Sequence, residues 1–447
     1  MLEKLLSSKE SKIALIYSVT YFFTILGFNQ NYSYLVFLLG IAFFSYATFS
    51  YKQEGGVENI IFHLLIYSVP LSFVNVMGMR SKPLFLTWFN ILLLVLILYL
   101  FVSFALKINS IDFKKYPKNQ KGFLISSIIF LIGISCVILS SPNFISAASQ
   151  AYYLVLFVVL LTLLVLNTPF LSFKIDSLKK SYRITALSTA CFLVMQVFLF
   201  YVFNTEVGFH LRFIRSATDY RDAFAVVFAD FSFLSLFLSS AIPLVWKHNK
   251  SITYRISSAV ILLIASFLTS ARTGLFCFVV VLAVIFYVEI LKGNKISRKQ
   301  KIRFSLILVA VGITLVGLLT LWRGNKLFDD SGRFDLMYKA VTLFKSNVLL
   351  GIGFGMKQYP GVIPHNIFFQ YLAQGGLFLI LPLLYYIYQS YFVLFGQRSN
   401  IDLKYALMII LVGSQLIGNI VDSRFLLVII MLIMVGNENK WEIKKDE

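Results

Sequence analysis

From Ile13 to Val435 the chain is a succession of apolar runs, many of them close to the roughly 20 residues that an α-helix needs to cross a bilayer. Runs of this kind must satisfy their backbone hydrogen bonds internally once they lie in lipid, which leaves helices as the fold. The runs are Ile13–Phe28, Tyr34–Ser50, Asn59–Met79, Leu84–Leu106, Gly122–Ser140, Ala151–Leu166, Ile184–Phe203, Phe224–Trp246, Ile256–Thr269, Thr273–Leu291, Phe304–Leu321, Ile367–Phe395, Tyr405–Ile420 and Arg424–Val435. They predict an all-α, polytopic bundle of about 14 helices forming one integral membrane domain over residues 1–447. The last two runs are short and read equally as a tight hairpin or a tilted, broken helix. Only 13% of the residues are charged against 59% hydrophobic, with a mean hydropathy of +0.82, so there is too little polar surface to cover a soluble globule. The start, MLEKLLSSKESK, mixes charges and leads to no small-residue cleavage site, which predicts a retained signal anchor. Cys136, Cys191 and Cys277 each fall inside an apolar run and read as small core residues.

The net charge of +20 is largely a topology signal. With both termini in the cytoplasm, alternate connections would hold 27 of the 40 Lys and Arg residues, concentrated around Lys107–Lys121, Lys174–Arg183 and Lys292–Arg303, as the positive-inside rule requires. Because these charges are spread over short loops, nucleic acid is not the expected partner. The thirteen outward cations differ in kind: eight are Arg, against five of the 27 inside. A lysine suffices as a topology anchor, whereas the planar guanidinium presents forked donors that match phosphate oxygens.

Three outward stations follow. In FHLRFIRSATDYRDAF, within the Arg-rich loop 204–222, Arg212, Arg215 and Arg221 precede a span that contains Asp230 in its first two turns. An acid at that depth is costly unless paired or facing a cavity, so Asp230 is a candidate site residue. In LTSARTGLF, Arg272 occupies a tight turn where Ser270 and Thr273 can cap the following helix and an anion could sit at its N-terminus. The third is the long outward loop 322–365. Its GRFDLMYKAVTLF segment predicts an amphipathic helix starting at Arg333, with Phe334, Met337, Val341 and Phe344 on one face. Gly351, Gly353 and Gly355 follow without the strand or the Gly-Lys-Ser/Thr of a nucleotide loop, and read instead as a tight or re-entrant backbone path. His365 then stands at the start of the next span, beside Asn366, where an imidazole titrating near neutrality can act as a general base.

In order and spacing these stations resemble the O-antigen polymerase (Wzy-type) and O-antigen ligase superfamily. The likeness runs over about Phe209–Gly376: the arginine cluster, Ser270-Ala271-Arg272-Thr273-Gly274, Gly332-Arg333, Gly351-Ile352-Gly353, His365-Asn366 and Gln374-Gly375-Gly376. Where the family often has a Pro-Asn pair, this chain has Tyr220-Arg221-Asp222-Ala223, leaving open which of Arg212 and Arg215 is the functional one.

The resemblance implies a GT-C-like, metal-independent and inverting glycosyltransferase without cofactor, multi-pass in a bacterial inner membrane and working at its outer face. Its implied substrates are lipid-linked oligosaccharides on undecaprenyl diphosphate, with a chain-length regulator and a flippase as possible partners besides membrane lipids. His365, Arg333 and Arg272 are then the expected catalytic residues, and Arg212, Arg215, Arg221 and Asp230 the expected pyrophosphate-binding group. The resemblance leads first to a polymerase of repeat units for O-antigen or capsule-like polysaccharide. A ligase delivering glycan to a lipid A core is the alternative within the superfamily, and a flippase for lipid-linked oligosaccharide is the alternative from another class. Arg80, Lys82 and Arg424 lean toward the polymerase, which must hold two lipid pyrophosphates.

Overall fold

The computed structural model describes residues 8–29, 33–53, 55–77, 86–108, 113–171, 173–214, 220–228, 230–247, 251–285, 333–354, 364–395, 400–418 and 420–436, with scattered positions between 297 and 317. The expected span Phe304–Leu321 therefore falls largely outside the described residues, as do Arg80, Lys82, Arg215, Gly332 and Gly355.

The described chain is a helical bundle. Its helices are α1 (Lys9–Asn29), α2 (Ser33–Tyr51), α3 (Val57–Ser68), α4 (Trp88–Lys107), α5 (Lys118–Ser140), α6 (Phe144–Asn167) and α7 (Ile175–Phe203). After a hairpin of β1 (Phe209–Ile214) and β2 (Tyr220–Val226) come α8 (Phe231–Trp246), α9 (Ile252–Leu268), α10 (Arg272–Ile285), α11 (Arg333–Ser346), α12 (Ile367–Phe395), α13 (Ile401–Gly413) and α14 (Phe425–Gly436). Seven of the described helices are long and apolar enough to cross a membrane. On α4 and α5 the side chains of Leu94, Leu98, Phe101, Ile128, Ile132 and Leu139 stand exposed. So wide an apolar exterior suits a protein whose solvent is lipid.

Shorter helices fill the interior. α14 is only 12 residues long, yet Phe425–Val435 is buried on every side, which makes it a core helix that neighbouring elements shield from lipid. The final apolar pair thus forms two separate helices, α13 and α14, joined through a short 3₁₀ turn at Ile420–Ser423. α3 ends earlier than the apolar run suggests. Pro70 lacks an N–H and cannot continue an α-helix, so the chain passes into a 3₁₀ turn over Val69–Leu71. At the centre α8 packs against α7, α9, α10 and α13. Small residues allow the close approach: Ser235 and Ser239 bond to Ser266 across α8 and α9 at 2.8 and 3.0 Å, and a Cβ at Gly274 would run into the Ser235 backbone.

The β-hairpin corrects the expected start of a span at Phe224. Phe209, Leu211 and Phe213 alternate with His210 and Arg212, a period of two that belongs to a strand, and the helix begins only at Phe231. The strands are antiparallel, with Arg212 opposite Asp222 and His210 opposite Phe224. Gln196 of α7 secures both. Its Nε2 donates to the Val207 and Phe209 carbonyls at 2.6 and 3.0 Å, and its Oε1 accepts the Val226 N–H at 3.0 Å.

The long helices separate two ends. At one, Lys179 bonds to Asp402 at 2.9 Å and to Asn400 at 2.8 Å, and Lys180 pairs with Glu10. Lys179, Lys180 and Arg183 lie on the first turns of α7, which reaches nine residues before the expected span start at Ile184. At the opposite end Arg272 and Arg333 open their helices, His365 stands just before α12, and the hairpin links α7 to α8.

Candidate active site

His365 occupies a bend directly before α12, and its neighbour fixes the entry into that helix. Asn366 Oδ1 accepts the Phe368 and Phe369 N–H groups at 2.9 and 3.2 Å, satisfying two of the donors that a helix start leaves without partners. Asn366 Nδ2 donates to Gln415 Oε1 at 2.9 Å, and Gln415 Nε2 donates to Ser414 Oγ at 2.9 Å. The His365 backbone is in this way tied to the end of α13. Neither Gln415 nor Ser414 is distinguishable in the sequence from any other polar residue in an apolar run.

Three of the sequence-derived residues come together electrostatically. Desolvation lowers the His365 pKa below that of an ordinary imidazole, the Arg333 guanidinium lowers it further, and the Asp230 carboxylate pulls the other way. As a whole the residue remains exposed. Arg333 is the first residue of α11, as expected, and its charge also reaches Cys277 in the second turn of α10. Because Arg272 opens that same helix, both arginines converge on one region of the fold. Thr269 Oγ1 accepts the Ala271 N–H at 3.1 Å, while Ser270 takes a left-handed φ of 62° that turns the chain sharply into α10.

Asp230 lies at the edge of the helix, outside the first two turns expected for it. It is the N-cap of α8, with Oδ1 accepting the Ser232 and Phe233 N–H groups at 2.8 and 2.9 Å. The cap both holds the carboxylate in place and explains why an acid stands before so apolar a helix.

The hairpin station is built differently. Arg212 Nε donates to Asp222 Oδ1 at 2.9 Å and its Nη2 reaches Oδ2 at 3.4 Å, a side-on fork. His210 Nε2 lies 2.9 Å from the same Oδ1, and the Tyr201 hydroxyl donates to Oδ2 at 3.4 Å. Burial pushes the Asp222 pKa up, but the hydrogen bonds and charges of Arg212 and His210 outweigh it and hold the carboxyl below the usual carboxylate range. His210 is packed between Phe200 and Phe224, with ring centroids 4.5 and 4.9 Å away. The Arg212 side chain remains 46% exposed. Asp222 is the residue that sequence reasoning underrated, and the strand alternation around it is the signal that would have placed it opposite Arg212. Arg221 lies in β2 opposite Phe213, its side chain outside the described set, and Arg215 is outside it altogether.

Arg424 is 7% exposed, with its guanidinium 4.2 Å from the Tyr153 ring and 5.5 Å from that of Phe73. A cation caged by aromatic faces is bound into the core of this end and does not stand open on its surface. On α11, which packs against α12, Ala340 is buried, while Phe334 and Tyr338 stand 72% and 75% exposed. Among the described residues no three His, Cys, Asp or Glu side chains gather into a metal-binding group.

No curated protein matches the chain. A family model does, and it covers the region that contains Arg272, Arg333, the glycine segment and His365. Residues 257–384 match the family model described as O-antigen ligase, which supports the expected likeness to the O-antigen ligase and polymerase superfamily over that segment.

Proposed function

We propose that the chain is a glycosyltransferase that joins polyprenyl-diphosphate-linked oligosaccharide repeat units into O-antigen or capsule-like polysaccharide. The observation that carries the proposal is the placing of His365 within reach of the Arg333 charge, both inside the segment that matches the family model, with Asp230 reaching it from outside that segment. A pKa lowered by desolvation and by Arg333 favours the neutral imidazole, the form in which it accepts a proton. His365 takes the proton from the attacking sugar hydroxyl. That oxygen bonds to the anomeric carbon from the face opposite the phosphate, the carbon–oxygen bond to the diphosphate breaks, and the configuration inverts. The leaving lipid diphosphate carries away the bonding electrons as added negative charge. Arg333 and Arg272 stabilise that charge as it develops, at about 1.5–3 kcal/mol for each charge-assisted hydrogen bond.

In this proposal Asp230 serves His365 and does not touch the diphosphate, since a carboxylate repels an anion while it favours the imidazolium formed in the reaction. Arg212, largely neutralised by Asp222, holds the hairpin in shape, and Arg215 and Arg221 of the same station extend the positive field toward the second lipid diphosphate. The reaction takes place at the outer face of a bacterial inner membrane, with both termini in the cytoplasm, where the lysine-rich loops favour that orientation. The description of the matching family favours a second outcome, transfer of finished glycan to a lipid A core.

The experiment uses purified protein in nanodiscs supplied with a lipid-linked repeat unit alone. A ladder of lengthening lipid-linked glycans, lost in His365→Ala and Arg333→Ala, is the expected result. Transfer that begins only when a lipid A core is added establishes the ligase instead. If neither reaction occurs and the lipid-linked sugar crosses vesicle membranes, the protein is a transporter and the proposal fails.

A further inference from the structure

α12 is not one continuous helix. Gly376 sits at φ 55° and ψ −150°, a backbone conformation open almost only to glycine. An unbroken helix would bond the Leu377 and Phe378 N–H groups to the carbonyls of Ala373 and Gln374, four residues earlier. The segment after α11 takes over all four groups. Leu377 and Phe378 donate to the carbonyls of Val348 and Leu349 at 2.9 and 3.0 Å. Ile352 and Gly353 donate to those of Ala373 and Gln374 at 3.0 and 2.8 Å. Two missing helical hydrogen bonds are replaced by four that run between the segments. In an apolar surrounding the broken turn has no water to fall back on, so the pairing is held firmly.

Glycine is required on both sides of this junction. A Cβ on Gly376 would lie 2.5 Å from the carbonyl oxygens of Val348 and Leu349. One on Gly351, whose φ is 62°, would lie 2.5 Å from the Gln374 carbonyl carbon and 2.6 Å from the Ala373 oxygen. All of these are backbone atoms, which cannot swing aside. A further tie reaches α5: Ser141 Oγ, just beyond its end, accepts the Phe354 N–H at 3.1 Å. Gly353, at φ 89°, leaves room for that hydroxyl.

We infer that residues 347–354 and the break at Gly376 form a positioning clamp that sets the helix bearing Arg333 against the helix start bearing His365, with Gly351 and Gly376 as its positioning residues. The role assigned to the clamp rests on the function proposed above, whereas its existence does not. α11 runs from Arg333 directly into the clamp, and the first part of α12 runs from His365 directly into it, so two stiff arms meet at one joint. A misplacement of about 1 Å between reacting groups can cost on the order of 10²-fold in rate.

The test compares Gly376→Ala and Gly351→Ala with wild type and with Gly40→Ala, a crowded glycine on α2 whose Cβ would meet the Trp88 ring. The pH dependence of His365 modification by diethyl pyrocarbonate, resolved by peptide mass spectrometry, is measured beside product formation. The clamp variants are expected to lose about 10²-fold in turnover. Their His365 titration midpoint is expected to move upward as Arg333 swings away, whereas Gly40→Ala keeps the wild-type midpoint. Partial unfolding alone lowers the active fraction and leaves that midpoint in place. A folded Gly376→Ala with wild-type midpoint and turnover overturns the inference.

Should both clamp variants fail to fold, hydrogen exchange on the wild type decides. The Ile352, Gly353, Leu377 and Phe378 amides are expected to be protected as one unit, and free exchange at Ile352 and Gly353 overturns the clamp. If His365→Ala instead retains full product formation, the proposed function falls while the exchange and titration results still judge the clamp.

Discussion

The two arginine stations of the candidate site are nearly alike as sequence, and the structure answers them in opposite ways. On the hairpin, Arg212 meets a buried carboxylate that forks onto it, so the pair is close to neutral and its partners, His210 and Tyr201, complete a closed network. At the start of α11, Arg333 is set toward an imidazole whose proton it repels. A guanidinium that forks onto a carboxylate organises its own strand, while the charge of Arg333 acts on the imidazole assigned to the reaction. Arginine content therefore marks where anions could bind, and the groups around each arginine determine what its charge acts on.

That contrast is broken most directly at His365. His365→Ala should lower product formation by about 10²–10⁴-fold, the range for removal of a general base, with the protein still folded. Arg212→Ala should cost less than a tenth as much in turnover, because Asp222 already neutralises most of what Arg212 offers. Equal losses in a quantitative gel assay of lipid-linked glycan would erase the distinction between the stations. Arg333→Lys comes next. It keeps the charge but loses the planar fork, and should reduce turnover by about 10–10²-fold at unchanged stability if the diphosphate is held by paired donors. Full activity in the lysine variant would leave only a point charge at that site.

Asp222→Asn sharpens the other side. It leaves Arg212 and His210 facing a neutral amide in a buried setting, and should destabilise the protein by about 1–3 kcal/mol. Linkage gives the expectation a sign. The Asp222 pKa is depressed in the fold, so its stabilisation is present above the unfolded carboxylate pKa and is lost as pH falls through the folded value. Denaturation midpoints of wild type and Asp222→Asn should therefore converge in acid and separate toward neutrality. Parallel curves would mean that the ion pair does not stabilise the hairpin.

How much could be read in advance follows the same divide. Apolar length and basic loops indicate a multi-helix membrane protein, because lipid imposes helices on any long apolar run. The start of α11 at Arg333 and the place of His365 before α12 also follow from local signals: a polar–apolar period and a helix boundary. What local signals miss are partnerships made across the fold. The hairpin is two short strands beside a long apolar helix, and its register, which puts Asp222 under Arg212, depends on Gln196 from α7. The break at Gly376 is invisible to hydropathy, since residues on both sides of it are equally apolar. Arg424 reads as an outward cation until Tyr153 and Phe73, far away in sequence, enclose it.

The smallest effect is the most diagnostic for the functional station. Arg333 lowers the His365 pKa and Asp230 raises it, so removing either charge should move the acid limb of His365 titration in opposite directions. Arg333→Gln should shift the midpoint up, so that the neutral base is lost at a higher pH. Asp230→Asn should shift it down while keeping the helix intact, because an asparagine side chain caps the Ser232 and Phe233 N–H groups as well as aspartate does. Added salt should shrink both shifts. Diethyl pyrocarbonate modification of His365 followed against pH reads them without requiring turnover. If both variants titrate like wild type, the two charges do not act on His365, and the functional station loses the coupling that separates it from the hairpin.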